Sequence, residues 1–278
     1  MIPAAFDYVR PASLDEALGL LGHDGTKIIA GGQSLLPLMK LRLARPERLV
    51  DIGGLSALRG TRRLPDGGLA IGGLTRYVDL MADPAVAAYG ALADALPSIG
   101  DVQVRNRGTV GGALAHCDPA SDLPAVLLAF EAQVVARSRR GERTVAIAEF
   151  FHGPFQTALA ADEVLTEIRL PAVAAGRASA YVNLEQAASG FAIAGAAVDL
   201  GRGGAGARVG VTGVGHVPYR ATAVEQALAG GADAASSAAH AADGQTVNSD
   251  IHADAAYRSA IAAVVVRRAI EAARARLG

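Results

Sequence analysis

Apolar residues first recur at helical spacing at Leu14, Ala17, Leu18 and Leu21, directly after Ser13-Leu14-Asp15-Glu16. That tetrapeptide is a capping box, with Ser13 as N-cap and Glu16 at the third helical position, so a short helix is predicted. The polar turn His23-Asp24-Gly25 ends it. Residues 27–30 then read as a buried strand running into Gly31-Gly32, and 34–40 as a helix with Pro37 near its first turn. Residues 49–52 read as a second strand, closed by Gly53-Gly54. Helix, strand, glycine loop, helix and strand together predict a small α/β unit over residues 1–56.

A second unit, 57–173, is predicted to open on a strand at 69–71, bounded by glycine pairs, with Thr75 as cap of the next helix. Asp83-Pro84 pairs a capping aspartate with proline at N1, and Val86, Leu92 and Leu96 predict one helix running to Pro97. Residues 133–137, 144–148 and 164–170 read as strands, the last with Val164, Thr166, Ile168 and Leu170 on one face. Together they suggest a largely antiparallel sheet, with 171–177 as its exit linker. In a third unit, 178–278, strands are predicted at 180–184, 191–200 and 208–214. Helices follow at 222–229 and 257–277, with a weak alanine-rich helix within 230–243.

Composition narrows the function classes. The chain has 278 residues, 51% of them hydrophobic, and a formal net charge of −1, as expected for a globular protein with a sizeable core. Its arginines come in short groups matched by acids, which argues against a nucleic-acid binder. The opening MIPAAFDYVRP lacks a signal-peptide pattern, so a cytoplasmic protein is expected. The apolar stretches 191–200 and 261–266 are too short to span a bilayer. A single cysteine, Cys117, excludes an internal disulfide and an iron-sulfur cluster held by this chain's own thiolates. Scattered histidines offer no metal-ligand spacing.

Two glycine-rich loops carry the candidate chemistry. The first is Ala30-Gly31-Gly32-Gln33-Ser34-Leu35, where paired glycines after a strand let backbone amides approach a pyrophosphate. Ser34 reads equally as a hydroxyl donor to that ligand or as a helix cap. Neither G-x-G-x-x-G nor G-K-[ST] is present, which disfavours a nicotinamide dehydrogenase or a P-loop. The second loop runs from Arg105 to Asp122 and gathers three glycines, hydroxyls, two arginines and two aspartates, too polar a run to be mainly core. On local pattern alone, Asp118 before Pro119 and Asp122 before Leu123-Pro124 both read as N-caps. Cys117 reads as a small side chain packed under the loop.

These motifs carry a resemblance. FDYVRPASLDEAL, AGGQSLLPLMKLRLARPERLVDI, IGGLTRYVDL, VQVRNRGTVGGALAHCDPASDLPAVLLAF, ADEVLTEIRLP and ASGFAIAGAAV, in that order, make the chain similar essentially end to end to one family. It resembles the FAD-binding medium subunit of the molybdenum hydroxylases, the group that includes aerobic carbon monoxide dehydrogenase and the xanthine dehydrogenase family. The resemblance implies an α+β fold: a two-part FAD-binding domain of the vanillyl-alcohol oxidase/PCMH-like type, then a C-terminal domain with a three-stranded antiparallel sheet and a helical bundle.

It also implies that Ala30, Gly31, Gly32, Gln33, Ser34 and Leu35, with Thr109, Val110, Gly111 and Gly112, wrap the FAD pyrophosphate. Asp122 would bond the sugar-like part of the cofactor, and His116 and Leu165 would line the same cleft. Arg107, like Arg105, is expected to touch FAD, to dock a partner subunit or to lie solvated on the surface. Tyr181 is a candidate for stacking on the isoalloxazine. The chain departs from its relatives at Val182-Asn183-Leu184, where a lysine is frequent, and at Ser189-Gly190-Phe191, where an aspartate is frequent. Molybdopterin and [2Fe-2S] clusters are expected only on a large and a small partner subunit, in a dimer of heterotrimers, with any membrane association running through those partners. This chain would then pass electrons from the clusters to an external acceptor and need no catalytic acid or base. The alternatives are a freestanding FAD-dependent oxidoreductase and a non-catalytic scaffold subunit.

Overall fold

In the computed structural model, which describes residues 2–277, the chain forms three sheets in sequence order and a small hairpin. The first comprises β1 (Asp7–Val9), β2 (Thr26–Ile29) and β3 (Arg48–Asp51), in the order β1-β3-β2 and wholly parallel. Helices α1 (Leu14–Leu20) and α2 (Leu35–Lys40) supply the crossovers that parallel strands require. Ser13 caps α1 by accepting from the Glu16 amide at 3.1 Å, while the Glu16 carboxylate reaches back to the Ala12 amide at 2.7 Å. β2 is half-buried rather than buried, because Lys27 faces solvent.

The second sheet is antiparallel throughout. Its strands β4 (Thr61–Arg63), β5 (Leu69–Gly72), β6 (Gln133–Ser138), β7 (Gly141–Ala146) and β10 (Val164–Leu170) lie in the order β4-β5-β10-β6-β7. Ile71, Ile168 and Val134 face one another across its centre, and all three are fully buried. Between β5 and β6 run α3 (Tyr77–Met81), α4 (Gly90–Ala95), α5 (Val102–Arg107), α6 (Val110–His116) and α7 (Asp122–Ala129). The hairpin of β8 (Phe151–Gly153) and β9 (Gln156–Thr157) precedes β10.

Two local expectations are corrected here. Thr75 caps no helix: its hydroxyl donates to the Gly60 carbonyl at 3.0 Å, and Arg76 occupies the N-cap position of α3 without a capping bond. Asp83 does cap, accepting from the Ala85 amide at 2.9 Å, but it starts a 3-10 turn over Pro84–Ala88 that breaks at Tyr89 before α4 begins.

The third sheet is an antiparallel meander of β11 (Arg177–Glu185), β12 (Ala192–Gly201), β13 (Arg208–Thr212) and β14 (Tyr219–Arg220). The expected three strands gain the two-residue β14 as a fourth. Helices α8 (Thr222–Ala229), α9 (Ala234–Ala238) and the 21-residue α10 (Ala255–Ala275) follow, and α10 packs over β11 and β12. Helix α7 is buried along its whole length between this sheet and α4 and α6, so the second and third units share a core that includes Tyr181 and Ala197. Among the described residues, no helix is long and apolar enough to cross a membrane.

Candidate functional site

Where β2 ends, the chain turns through Ala30 to Ser34 into α2. Gly32 lies at φ +76°, a left-handed conformation that favours glycine. Gly31 is required for a different reason: a Cβ there would lie 2.3 Å from the Arg107 carbonyl oxygen and 2.9 Å from the Gly108 Cα. The two glycine loops, far apart in sequence, therefore meet backbone to backbone. Across this junction the backbone N–H groups from Gly31 to Leu35 donate to no protein acceptor among the described residues, although all five residues are only half-buried. A run of unpaired amides calls for acceptors, and an anion's oxygens fit that need. The Ser34 side chain makes no capping bond, so its hydroxyl is also free; Gln33 donates to the Gly31 carbonyl at 3.3 Å.

The second loop behaves differently. Its amides at the start of α6 are satisfied within the protein: Val110 donates to Thr75 at 3.0 Å, Gly111 to Gly73 at 2.9 Å, and Gly112 to the capping hydroxyl of Thr109 at 3.2 Å. A Cβ at Gly111 would strike the Gly73 carbonyl at 2.6 Å, so this glycine serves backbone packing against β5 and the turn after it. Gly112 differs, since a Cβ there would meet only its own cap, Thr109 Oγ1, at 2.7 Å. It is the open edge of the second loop. Leu165 lies beneath, buried on β10, with its carbonyl closing on Gly73.

At the far end of α6, His116 packs its ring against Phe155 at 5.1 Å, and burial lowers its pKa, which favours the neutral imidazole. Cys117 follows in the left-handed conformation at φ +53°, fully buried, its thiol 3.4 Å from the Gly153 carbonyl and pushed up to about 11 by burial. It packs under the loop, as expected. Asp118 caps no helix; its carboxylate accepts from the Ala120 amide at 2.9 Å and closes a turn.

Asp122 is not an N-cap either. Ser121 holds that position, and Asp122 is the first residue of α7, 4% exposed. Its Oδ1 accepts from the Tyr181 hydroxyl at 2.5 Å and from Asn183 Nδ2 at 2.9 Å. Burial raises its pKa to about 6 against the opposing effect of those two donors. Tyr181 is 6% exposed, and its hydroxyl is engaged by Asp122. Asn183, which sequence reasoning noted only as a departure from the family, is brought into the site from β11.

The other side of Asn183 borders an open cleft of about 570 Å³, lined also by Ser98, Gly100, Arg105, Leu184 and Glu185. Arg105 is tied down there, donating to the Ile99 and Gly100 carbonyls at 3.0 and 2.7 Å. Arg107, at the end of α5, is exposed and its guanidinium makes no hydrogen bond or ion pair among the described residues. Those residues also contain no group of three or more His, Cys, Asp or Glu side chains placed to hold a metal ion.

Comparison with known proteins identifies relatives over the whole length of the chain. Residues 4–173 match the family model described as the FAD binding domain in molybdopterin dehydrogenase, and 179–273 match the CO dehydrogenase flavoprotein C-terminal domain. The chain is 41% identical to the carbon monoxide dehydrogenase medium chain of Hydrogenophaga pseudoflava, covering 99% of both. It is 40% identical to the glyceraldehyde dehydrogenase medium chain of Sulfolobus acidocaldarius, covering 83% of each. A solved structure of carbon monoxide dehydrogenase from Hydrogenophaga pseudoflava, lacking the Mo-pyranopterin moiety of the molybdenum cofactor, superimposes with a TM-score of 0.95 at 43% identity, covering 99% of both chains.

Proposed function

The chain belongs to the family of FAD-binding medium subunits of the molybdenum hydroxylases, and from that premise we propose how its own residues hold and use the cofactor. The unpaired amides from Gly31 to Leu35 carry the proposal, because they form the described donor set that lacks protein partners and suits a pyrophosphate. Gly32 and the Ser34 hydroxyl complete that first cradle with Ala30 and Gln33. Thr109, Val110, Gly111 and Gly112 set the opposite wall, with Gly112 as its open edge and Leu165 below. Asp122 accepts from a hydroxyl of the ribityl or ribose portion, and His116 flanks the same groove as a neutral imidazole. Arg107, free of partners, is available either to the cofactor or to a neighbouring subunit.

When bound, FAD supplies a junction that takes up electrons one at a time and releases them singly or in pairs. The residues of this chain bind and orient it, and no acid or base among them is asked to move a substrate proton. In this reading an iron-sulfur small subunit delivers electrons from [2Fe-2S] clusters, and substrate is oxidised on a molybdopterin large subunit. The assembly is a dimer of heterotrimers in the cytoplasm. Relatives named for carbon monoxide and for glyceraldehyde resemble this chain almost equally, which supports placing substrate choice on another subunit. The domain division 1–56, 57–173 and 178–278 is part of the same proposal, and each part is centred on a sheet of its own.

Co-expression with the neighbouring genes, purification through this chain, and measurement of flavin, iron and molybdenum test the assembly. All three are expected to co-purify with the chain. Flavin on a chain that recruits neither metal would support the freestanding oxidoreductase instead.

A further inference from the structure

A buried carboxylate that served packing alone would be expected to meet a cation or to be replaceable by its amide. Asp122 meets no cation among the described residues; its partners are the neutral donors Tyr181 and Asn183, both on Oδ1, and no side chain donates to Oδ2. The two donors stand two residues apart on β11 and so share a face. Tyr181 reaches Asp122 only because β12 carries glycine opposite Asn183: a Cβ at Gly195 would lie 2.2 Å from the Tyr181 hydroxyl oxygen. The Tyr181 backbone is fixed as well. Its N–H donates to Asp94 Oδ2 at 3.0 Å, and Asp94 is gripped through both oxygens by Arg276, at the end of α10, at 2.8 Å. A continuous set of contacts thus runs from the last helix through α4 and β11 to one oxygen of Asp122.

We propose that Tyr181, seated over Gly195, and Asn183 are positioning residues that hold the Asp122 carboxylate with Oδ2 turned to the sugar-like hydroxyls of FAD, so that the C-terminal sheet sets the strength of that contact. The inference rests on the reading of Asp122 as a cofactor ligand. The charged and titratable groups around the carboxylate are Glu185 at the end of β11, whose charge raises its pKa, and the phenols of Tyr77 on α3 and Tyr181, both held neutral by burial. A hydroxyl donates best to the ionised carboxylate. FAD affinity therefore weakens as pH falls through about 6, and loss of either donor moves that midpoint upward, since both donors favour the charged form.

The test is FAD affinity of the full chain, by equilibrium titration of flavin fluorescence across this pH range, with thermal melts as the folding control. Tyr181→Phe and Asn183→Leu are each expected to weaken binding roughly tenfold and to raise the pH midpoint, and Asp122→Asn to weaken it and abolish the pH dependence. If Tyr181→Phe does not fold, Asn183→Leu and Gly195→Ala carry the same expectation. Wild-type affinity and midpoint in the donor variants, with Asp122→Asn impaired, would overturn the positioning role and leave the ligand reading intact. Wild-type affinity and pH profile in Asp122→Asn would overturn both.

Discussion

Gly31, Gly111 and Gly112 look alike in sequence and do three different things. Gly31 lets two loops touch, Gly111 lets α6 touch the turn after β5, and Gly112 leaves an edge open. Alanine at Gly31 or Gly111 forces backbone apart and is expected to cost about 1–3 kcal/mol, a loss that urea denaturation would register together with the loss of flavin. Alanine at Gly112 needs only a shift of the Thr109 hydroxyl. Its expected signature is a melting temperature close to wild type with weakened FAD binding, and the same two measurements separate the cases. Cys117→Ala is expected to retain FAD fully. In the native protein the buried thiol, with its pKa pushed up to about 11, should resist alkylation at mildly alkaline pH, which mass spectrometry after iodoacetamide treatment would show. The sequence singled out the glycines and Asp122 as candidate site residues and Cys117 as a packed side chain. Which amides stay unpaired was not legible there, because the partners of the second loop, Gly73 and Thr75, come from a turn with no motif of its own.

Secondary structure was legible where one face is buried and the pattern is long. Strands such as β10 and β12 and the helices α1 and α10 follow their apolar spacing closely. The strands absent from the sequence reading, β1, β4, β8, β9 and β14, are two or three residues long, too short for alternation to register. The break between the Pro84–Ala88 turn and α4 has a tertiary cause. Gly90 approaches β11 so closely that a Cβ would lie 2.5 Å from the Ser179 carbonyl oxygen, and the Tyr89 hydroxyl donates to the Pro171 carbonyl at 2.9 Å. A continuous helix through Tyr89 and Gly90 is incompatible with that approach. The same contact makes a prediction about Asp94. Asp94→Ala strips partners from both Arg276 and the Tyr181 N–H, whereas Arg276→Ala leaves Asp94 on the Tyr181 amide. Denaturation should show the aspartate variant to be the less stable, with a loss of about 1–3 kcal/mol against about 1 kcal/mol or less for the partly exposed arginine.

Across the whole molecule, the order of a small α/β unit, a largely antiparallel sheet and a C-terminal antiparallel sheet with helices was anticipated, and the sharing of a core between the last two was not. Helix α7 is apolar on every side, so its sequence marks it as buried without saying by what; the answer, α4 and α6 on one side and β12 and β13 on the other, depends on topology. That sandwich brings Asn183 and Tyr181 from the C-terminal unit to Asp122. The parallel sheet supplies the unpaired amides, so the proposed cofactor groove would draw on all three units. Its central element, the run of free N–H groups from Gly31 to Leu35, can be probed without creating a clash. Ser34→Asp places a carboxylate at the start of α2, where Leu36 already donates its amide to the Gly32 carbonyl at 3.0 Å and Pro37 has no N–H, so the change gains no capping bond and sets a negative charge where the pyrophosphate is proposed to lie. The most direct measurement is therefore FAD stoichiometry and affinity of Ser34→Asp beside wild type, with melting followed on the same samples. The expected result is a variant that still melts cooperatively, close to wild type, and has lost flavin by an order of magnitude or more; a Ser34→Asp protein that binds FAD as wild type does would contradict the placement of the cofactor on this loop.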